Sequence, residues 1–295
     1  MTSPAEAVPQ EPERLAPARG ILRSRRLGAA LAVAMLGLGL DALVIEPSWV
    51  RLRDAGEVRM LPSGARPLVI ALVSDLHVAS MHERDRRAAE IVASIAPDLV
   101  LVAGDLSAHD ATDEGEGIRD SLAAFKEHAR LGVFVVPGNC DHYGGRGAVL
   151  AAAAERAGAI LLRNEVRSIP LEPSSLGELA IVGLDDPYTG HADLAGALAR
   201  APAGPRLVLA HSPEIFPSVH GRAVDLVLAG HTHGGQIVLP FYGPPWLPPG
   251  SEPYLSGWFQ EGTTRMFVTQ GVGMSILPVR FNCRPEVAKI VLVPR

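Results

Sequence analysis

Five short groups of residues carry side chains suited to holding a cation: Asp75-x-His77, Gly104-Asp105, Gly138-Asn139, His211 and Gly230-His231-Thr232-His233. Carboxylate and amide oxygens mixed with imidazoles suit Mn²⁺, Fe, Zn²⁺ or a similar ion. In a loop at a strand end, residues two apart can face the same way. Asp75 with His77, and His231 with His233, can therefore each present two donors to one cavity. Singly the groups say little, because an Asp-x-His pair arises by chance and a lone His after a strand is more often a hydrogen-bonded surface residue. The run Gly230–Gln236 says more: two imidazoles flanked by glycines leave little to pack and much to coordinate. All five groups in this order, each after an apolar run, form a specific pattern.

Those runs are the elements that must position the donors. Leu68–Val73 ends at Ser74-Asp75, Asp98–Ala103 at Gly104-Asp105, and Val133–Val136 at Pro137-Gly138-Asn139. Continuous apolar runs without alternation predict strands buried on both faces. Between them, Glu83–Ala96 has apolar residues at 88, 91, 92 and 95 and stops before Pro97, while Ile118–Arg130 has them at 118, 122 and 125, so both predict helices. The resulting β-α-β-α-β order predicts an α/β fold with parallel pairing, and ligands in such sheets bind outside the carboxyl ends of the strands. One Asp after a strand is ordinary turn chemistry, but Asp75, Asp105 and Asn139 in succession at one sheet edge point to a site. In the second half, Leu179–Val182 ends at Gly183, Arg206–Ala210 at His211, and Asp225–Ala229 at Gly230-His231. Ile237–Leu239, Met266–Thr269 and Val287–Val293 predict further strands with few helices between them, hence a second, more mixed sheet packed on the first.

The 295 residues, 47% hydrophobic and 20% charged, allow one large domain or two modest ones and exclude a disordered chain. A net charge of −5 gives no global attraction to nucleic acid. The two cysteines, Cys140 and Cys283, lie too far apart for a disulfide-stapled miniprotein or a zinc ribbon. Residues 1–26 read as a disordered tail, basic at its end through Arg19, Arg23, Arg25 and Arg26. Residues 27–45 are apolar apart from Asp41, and 19 residues make a helix of roughly 28 Å at about 1.5 Å per residue, just enough to span a bilayer core. Ser24-Arg25-Arg26 also suits the start of a twin-arginine signal, and an interfacial or core helix is the bland alternative. With no small-x-small cleavage site after the apolar run, anchoring is favoured over cleavage. The arginines then belong inside and the main domain, residues 60–295, outside the cytoplasm.

The pattern resembles the calcineurin-like metallophosphoesterases, over roughly residues 68–293. It is most similar to a bacterial, membrane-associated branch with one N-terminal apolar segment. The phrases that carry this are Ile45-Glu46-Pro47, Ser74-Asp75-Leu76-His77, Gly230–Gln236, and Gly271-Val272-Gly273 followed by Leu277–Phe281. The resemblance implies a four-layer α/β/β/α sandwich of two mixed sheets preceded by an apolar helix. It also implies two divalent metal ions (Mn, Zn or Fe): Asp75, His77 and His233 would hold the first, Asn139, His211 and His231 the second, and Asp105 would bridge them. Two such ions clamp a phosphoryl group and activate a water for in-line attack.

One position departs from the family pattern. The family has His directly after the Asn, where it assists the leaving oxygen, and here that residue is Cys140. A thiol can donate a proton, can ionise and bind metal, or can be an inert small residue. His142, two residues on and oriented by Asp141, is the other candidate acid. Loss of the His favours substrates with good leaving groups. Pro240–Phe259 is also unusual, holding Phe241, Tyr242, Trp246, Tyr254, Trp258 and Phe259 among Pro244, Pro245, Pro248 and Pro249. It reads either as a rigid packed loop or as an apolar lip for a lipid-like substrate or the bilayer interface. The reading that follows is a membrane-tethered, metal-dependent phosphoesterase cleaving a phosphodiester or pyrophosphate bond, with a lipid-linked or envelope phosphate the favoured substrate. A catalytically lapsed binding module on the same scaffold is the rival. A nuclease is a third reading, and the scarcity of Arg and Lys near the motifs argues against a nucleic-acid partner.

Overall fold

The computed structural model describes residues 19–108 and 114–295, in two compact units divided between Leu40 and Asp41. The first unit is a helix, Arg19–Leu40. It begins at Arg19 instead of at the apolar boundary near residue 27, because arginine is a strong helix former and continues the helix backwards. Of the tail expected over 1–26, residues 19–26 are helical and residues 1–18 lie outside the described residues. Arg26–Ser48, with a mean hydropathy of 2.1, is long and apolar enough to cross a membrane.

The second unit opens with a π-helical turn, Asp41–Ile45, and a short turn, Glu46–Ser48. Its strands are β1 (Arg51–Leu61), β2 (Leu68–Val73), β3 (Leu99–Ala103), β4 (Gly132–Val136), β5 (Ile160–Leu161), β6 (Glu165–Pro170), β7 (Glu178–Gly183), β8 (Arg206–Leu209), β9 (Leu226–Ala229), β10 (Gly257–Glu261), β11 (Thr264–Val268) and β12 (Glu286–Pro294). They form two six-stranded sheets in the orders β1-β12-β2-β3-β4-β5 and β10-β11-β9-β8-β7-β6. The β2-β3-β4 and β7-β8-β9 pairings are parallel, while β12 with β2, β10 with β11 and β6 with β7 are antiparallel. Both sheets are therefore mixed. The unit starts earlier than residue 60, because β1 pairs along β12. The first half of β1, with Arg51, Arg53, Asp54 and Glu57, is largely exposed or half-buried and carries no apolar run to betray it. Ile237–Leu239 is no strand. It makes isolated bridges only, Ile237 to Phe281 and Leu239 to Gly243.

The apolar runs have no alternation because both faces of each central strand are covered. Ile70, Leu72, Leu99, Leu101 and Phe134 point into a core shared with Leu179, Ile181, Leu207, Leu209, Leu226 and Leu228 of the other sheet. Their neighbours Ala71, Val73, Val100, Val102, Val133 and Val135 pack on Ala88, Val92, Ile118, Leu122, Leu150 and Ala153 of the helices Glu83–Ile95, Glu116–Lys126 and Arg146–Ala157. On the far side, Val182, Val208 and Val227 meet Leu194, Ala197 and Phe216. Helices, sheet, sheet and helices make the four-layer α/β/β/α sandwich. The carboxyl ends of β2, β3, β4, β8 and β9 carry the donor-bearing loops.

Candidate metal centre

Each donor leaves its strand abruptly. Asp75, His77, Asp105, His231 and His233 all have positive φ, between 45° and 71°, a conformation uncommon outside glycine that marks sites where surroundings overrule local preference. The backbone is tied across the loops. The amides of Asp75 and His77 donate to the carbonyls of Gly104 and Asp105 at 3.0 and 3.1 Å, and that of Gly230 donates to His211 at 2.9 Å. Three glycines permit this crowding. A Cβ on Gly230 would lie 1.9 Å from Ser74 Oγ, one on Gly138 would lie 2.2 Å from Asp105 Oδ1, and one on Gly104 would lie 2.8 Å from His211 Nδ1.

The donors converge in two groups, Asp75, His77 and His233, and Asp105, His211 and His231, joined by a third that overlaps both, His77, Asp105 and Cys140. In the first, His77 Nε2 lies 3.2 Å from His233 Nε2, and His233 Nε2 lies 3.4 Å from Asp75 Oδ1. In the second, His231 Nδ1 lies 3.0 Å and Asn139 Oδ1 3.1 Å from His211 Nε2. Asp105 faces both groups, with Oδ2 at 3.6 Å from His77 Nε2 and Oδ1 at 3.4 Å from His211 Nε2. Outer partners orient the rings: His77 Nδ1 is 3.2 Å from the Ser107 carbonyl and His211 Nδ1 is 2.7 Å from that of Ala103, leaving Nε2 inward on both.

The donor set fits divalent ions. Donors about 2.1 Å from one ion stand about 3.0–3.4 Å apart at tetrahedral to octahedral angles, close to the separations found. Asp75 Oδ1, the oxygen nearest His233 Nε2, is buried without a hydrogen-bond partner, an unusual state for an atom that normally finds one. The electrostatics agree. Burial, and Asp105 nearby, push the Asp75 carboxyl up. Burial opposes the charge of Asp105, yet His211, His77 and His231 hold its carboxyl well below the usual range. Burial would lower His211, but Asp105 raises it. Burial, with His211 beside it, pushes His231 down to about 3. Burial and His77 hold His233 well below the usual imidazole range. Cations among these groups would supply the positive charge that a buried cluster of carboxylates lacks.

A cavity of about 590 Å³ opens above the donors. Asp105, Asn139, Cys140, His231 and His233 form its floor, and Tyr143, Tyr188, Trp246, Ile276 and Leu277 are among its walls. Cys140 therefore reaches the cavity. Its amide donates to Asp105 Oδ1 at 2.8 Å, and burial together with the Asp105 and Asp141 carboxylates pushes its thiol up. His142 is not brought to the same place. It faces Asp185 at 2.6 Å and stacks on His191, with ring centroids 4.3 Å apart. Asp141 does not orient it: that carboxylate accepts the amides of Gly138 at 3.0 Å and Ser107 at 2.9 Å and so braces the turn Asn139–His142.

The aromatic stretch divides in two. Tyr254, Trp258 and Phe259 pack on the core, whereas Phe241, Tyr242 and Trp246 are exposed. Tyr188, whose ring lies 4.8 Å from that of His231, stands in the loop beyond the end of β7, and no strand-end motif marks it. Arg280 has no such signal either. It is fully buried, and its guanidinium donates to the carbonyls of Gly273 at 2.7 Å, Gln270 at 2.9 Å and Cys283 at 3.1 Å, bracing the loop beside His233.

Comparison with known proteins agrees with this geometry. Residues 68–235 match the model of the calcineurin-like phosphoesterase family. The metallophosphoesterase YkuE of Bacillus subtilis is 33% identical over 238 residues, 79% of this chain and 82% of that protein. The phosphodiesterase YaeI of Escherichia coli is 32% identical over 282 residues, 92% of this chain and 100% of that protein. A transmembrane protein with a metallophosphoesterase domain from Bos taurus is 29% identical over 252 residues, 80% of this chain and 55% of that protein.

Proposed function

This chain belongs to the calcineurin-like phosphoesterase family and is a hydrolase of phosphoric esters, and from that premise we propose a membrane-tethered enzyme with a two-ion centre that cleaves a phosphodiester or pyrophosphate bond. The observation that carries the two-ion reading is Asp105, whose separate oxygens face His77 in one donor group and His211 in the other. Asp75, His77 and His233 would hold one ion, Asn139, His211 and His231 the second, and Asp105 both. Such ions, when bound, polarise the phosphoryl group and lower the pKa of the water that attacks it.

The protein's own groups shape the rest. His231 and His233, held neutral by burial, keep their nitrogens free for coordination. Cys140, on the cavity floor, stands where its thiol can donate a hydrogen bond to the leaving oxygen. His142, engaged by Asp185 and His191, has no comparable access. A thiol is a weaker acid here than an imidazolium, which favours good leaving groups such as a phosphoanhydride. The apolar walls favour a substrate with a greasy portion, and a lipid-linked phosphate suits a chain with one membrane-crossing candidate helix. Arginines at the amino-terminal end of that helix argue for the phosphoesterase unit outside the cytoplasm.

The test uses the full chain in detergent, stripped by chelator and titrated with Mn²⁺, following hydrolysis of bis-p-nitrophenyl phosphate and bound metal together. Turnover rising with the second equivalent supports the proposal. Full turnover at one equivalent overturns the two-ion centre. No turnover with both ions bound favours the lapsed binding module.

A further inference from the structure

We propose that the outer lip of the cavity is a membrane-inserting surface, its occupant being the lipid surface of the bilayer that the chain's own span enters. The inference rests on reading Arg26–Ser48 as that span. Three observations carry it.

The first is exposure. Leu239, Phe241, Tyr242, Trp246, Ile276 and Leu277 all stand in solvent, Phe241 completely and Ile276 at 75%. Clustered apolar exposure marks an interaction surface, and Trp and Tyr are the side chains favoured where lipid meets water.

The second is backbone conformation. Phe241 has φ 66° and Ile276 φ 64°. Positive φ is costly for a bulky or β-branched residue. Packing inside the protein does not repay that cost, since both side chains point into solvent. A surface that holds apolar groups outward in a disfavoured conformation calls for a reason outside the monomer.

The third is connection, and it names the occupant. The carbonyl of Ala42, inside the candidate span, accepts the amide of Arg280 at 3.0 Å. The buried Glu46 carboxylate, also inside it, accepts the amides of Asn282, at 2.8 Å, and Cys283. The amide of Val238 donates to Phe281 at 2.9 Å and that of Phe281 to Gln236 at 3.0 Å, and the tip closes where Leu239 and Gly243 exchange hydrogen bonds of 2.9 Å. Gln236 Nε2 donates to the carbonyls of Ser275 and Leu277, each at 3.1 Å. Both apolar tips thus hang from the loop that grips residues 42 and 46. A span seated in a bilayer brings that loop to the lipid surface. The cavity would then open onto headgroups, and a phosphate could reach the donors while its apolar portion stays in lipid.

The test uses the full chain in phosphatidylcholine nanodiscs. Cys140 and Cys283 are buried, and the parent chain labelled in parallel reports any reaction at Cys140, so an environment-sensitive thiol fluorophore can be placed at Phe241→Cys, Ile276→Cys, Val33→Cys or Arg222→Cys and quenched with doxyl-labelled lipid. The expected result is quenching of roughly twofold or more at positions 33, 241 and 276, as for side chains seated in the acyl boundary, with position 222 unaffected. Quenching at 33 but neither at 241 nor at 276 overturns the lip proposal and leaves the span standing. A blue shift at 241 and 276 without lipid quenching also overturns it, because the lip then packs on protein. No quenching at 33 removes the membrane reading, and the lip proposal falls with it.

Discussion

The donor floor of the cavity and the lip above it are built from the same material, loops that leave a strand or bridge at positive φ. They break the ordinary burial rule in opposite directions. On the floor, Asp75, His77, Asp105, His211, His231 and His233 are polar and buried. On the lip, Phe241, Tyr242, Trp246, Ile276 and Leu277 are apolar and exposed. Each departure carries a free-energy cost that the layered core offsets. The difference shows where tolerance lies. Floor loops are crossed by backbone and glycine, so an added methyl group meets an atom at once. Lip loops meet only solvent, so side-chain volume there is free and only chemical character matters.

The largest effect should come from the floor. Asp105→Ala removes the group facing both donor clusters. Turnover of bis-p-nitrophenyl phosphate should fall by more than about 10³-fold, beyond the ~10–100-fold that loss of an outer hydrogen-bond partner costs. Elemental analysis should show both ions weakened. Loss of a single ion with turnover within tenfold of the parent would break the two-ion reading.

A pair of glycine variants sharpens the contrast. In Gly230→Ala the new Cβ would sit 1.9 Å from Ser74 Oγ and 2.6 Å from Asp75 Oδ2. Displacing Asp75 should cost about 10–100-fold in metal affinity, read by competition with a chelating dye. In Gly243→Ala nothing lies within 4 Å of the new Cβ, although φ is 85°. That change should cost about 1 kcal/mol of stability and leave turnover unchanged. Equal losses from both variants would mean that floor and lip are not mechanically distinct.

Arg280 lies between the two regions, and its replacement should act mainly on stability. Arg280→Lys keeps the charge but loses the planar fork that reaches several carbonyls. Each buried carbonyl left unpaired costs about 1–3 kcal/mol, so thermal unfolding of the full chain should begin several degrees lower. An unchanged melting curve would show that the loop beside His233 is held without the guanidinium.

The contrast also explains what the sequence makes legible. Central strands β2, β3, β4, β8 and β9 are covered on both faces, so they read as unbroken apolar runs. Their donors stand out because Asp, Asn and His directly after such runs have no packing reason to be there. The strands that escape sequence reading, β1, β5, β6 and β10, are the four sheet edges, short or half-solvated and therefore without a clean period. Tyr188, Ile276 and Leu277 come from loops distant in sequence, and only the fold brings them to one cavity. His142 shows that nearness in sequence need not mean a shared site. Proximity to Asn139 suggests a shared site, but the helical turn Asn139–His142 swings its ring to Asp185, while Asp141 is drawn into backbone amides.

The smallest expected effect is the most discriminating, because Cys140 belongs to the floor by burial and to the open cavity by access. Its Sγ shares a cluster with His77 and Asp105, so it could be a metal ligand, a hydrogen-bond donor or a spacer. These roles separate by substrate. Cys140→Ser keeps size and a donor, while Cys140→Ala keeps neither. If the thiol assists the leaving oxygen, Ser should stay within about threefold of the parent, and Ala should lose up to about tenfold on a diester with a poor leaving group but almost nothing on a nitrophenyl ester, whose oxygen leaves without help. Cys140→His should hold or raise activity, most of all on the poor leaving group. A loss of metal affinity in both Ser and Ala variants would instead assign the sulfur to coordination. Parallel losses on good and poor leaving groups, with metal content unchanged, would assign it to packing.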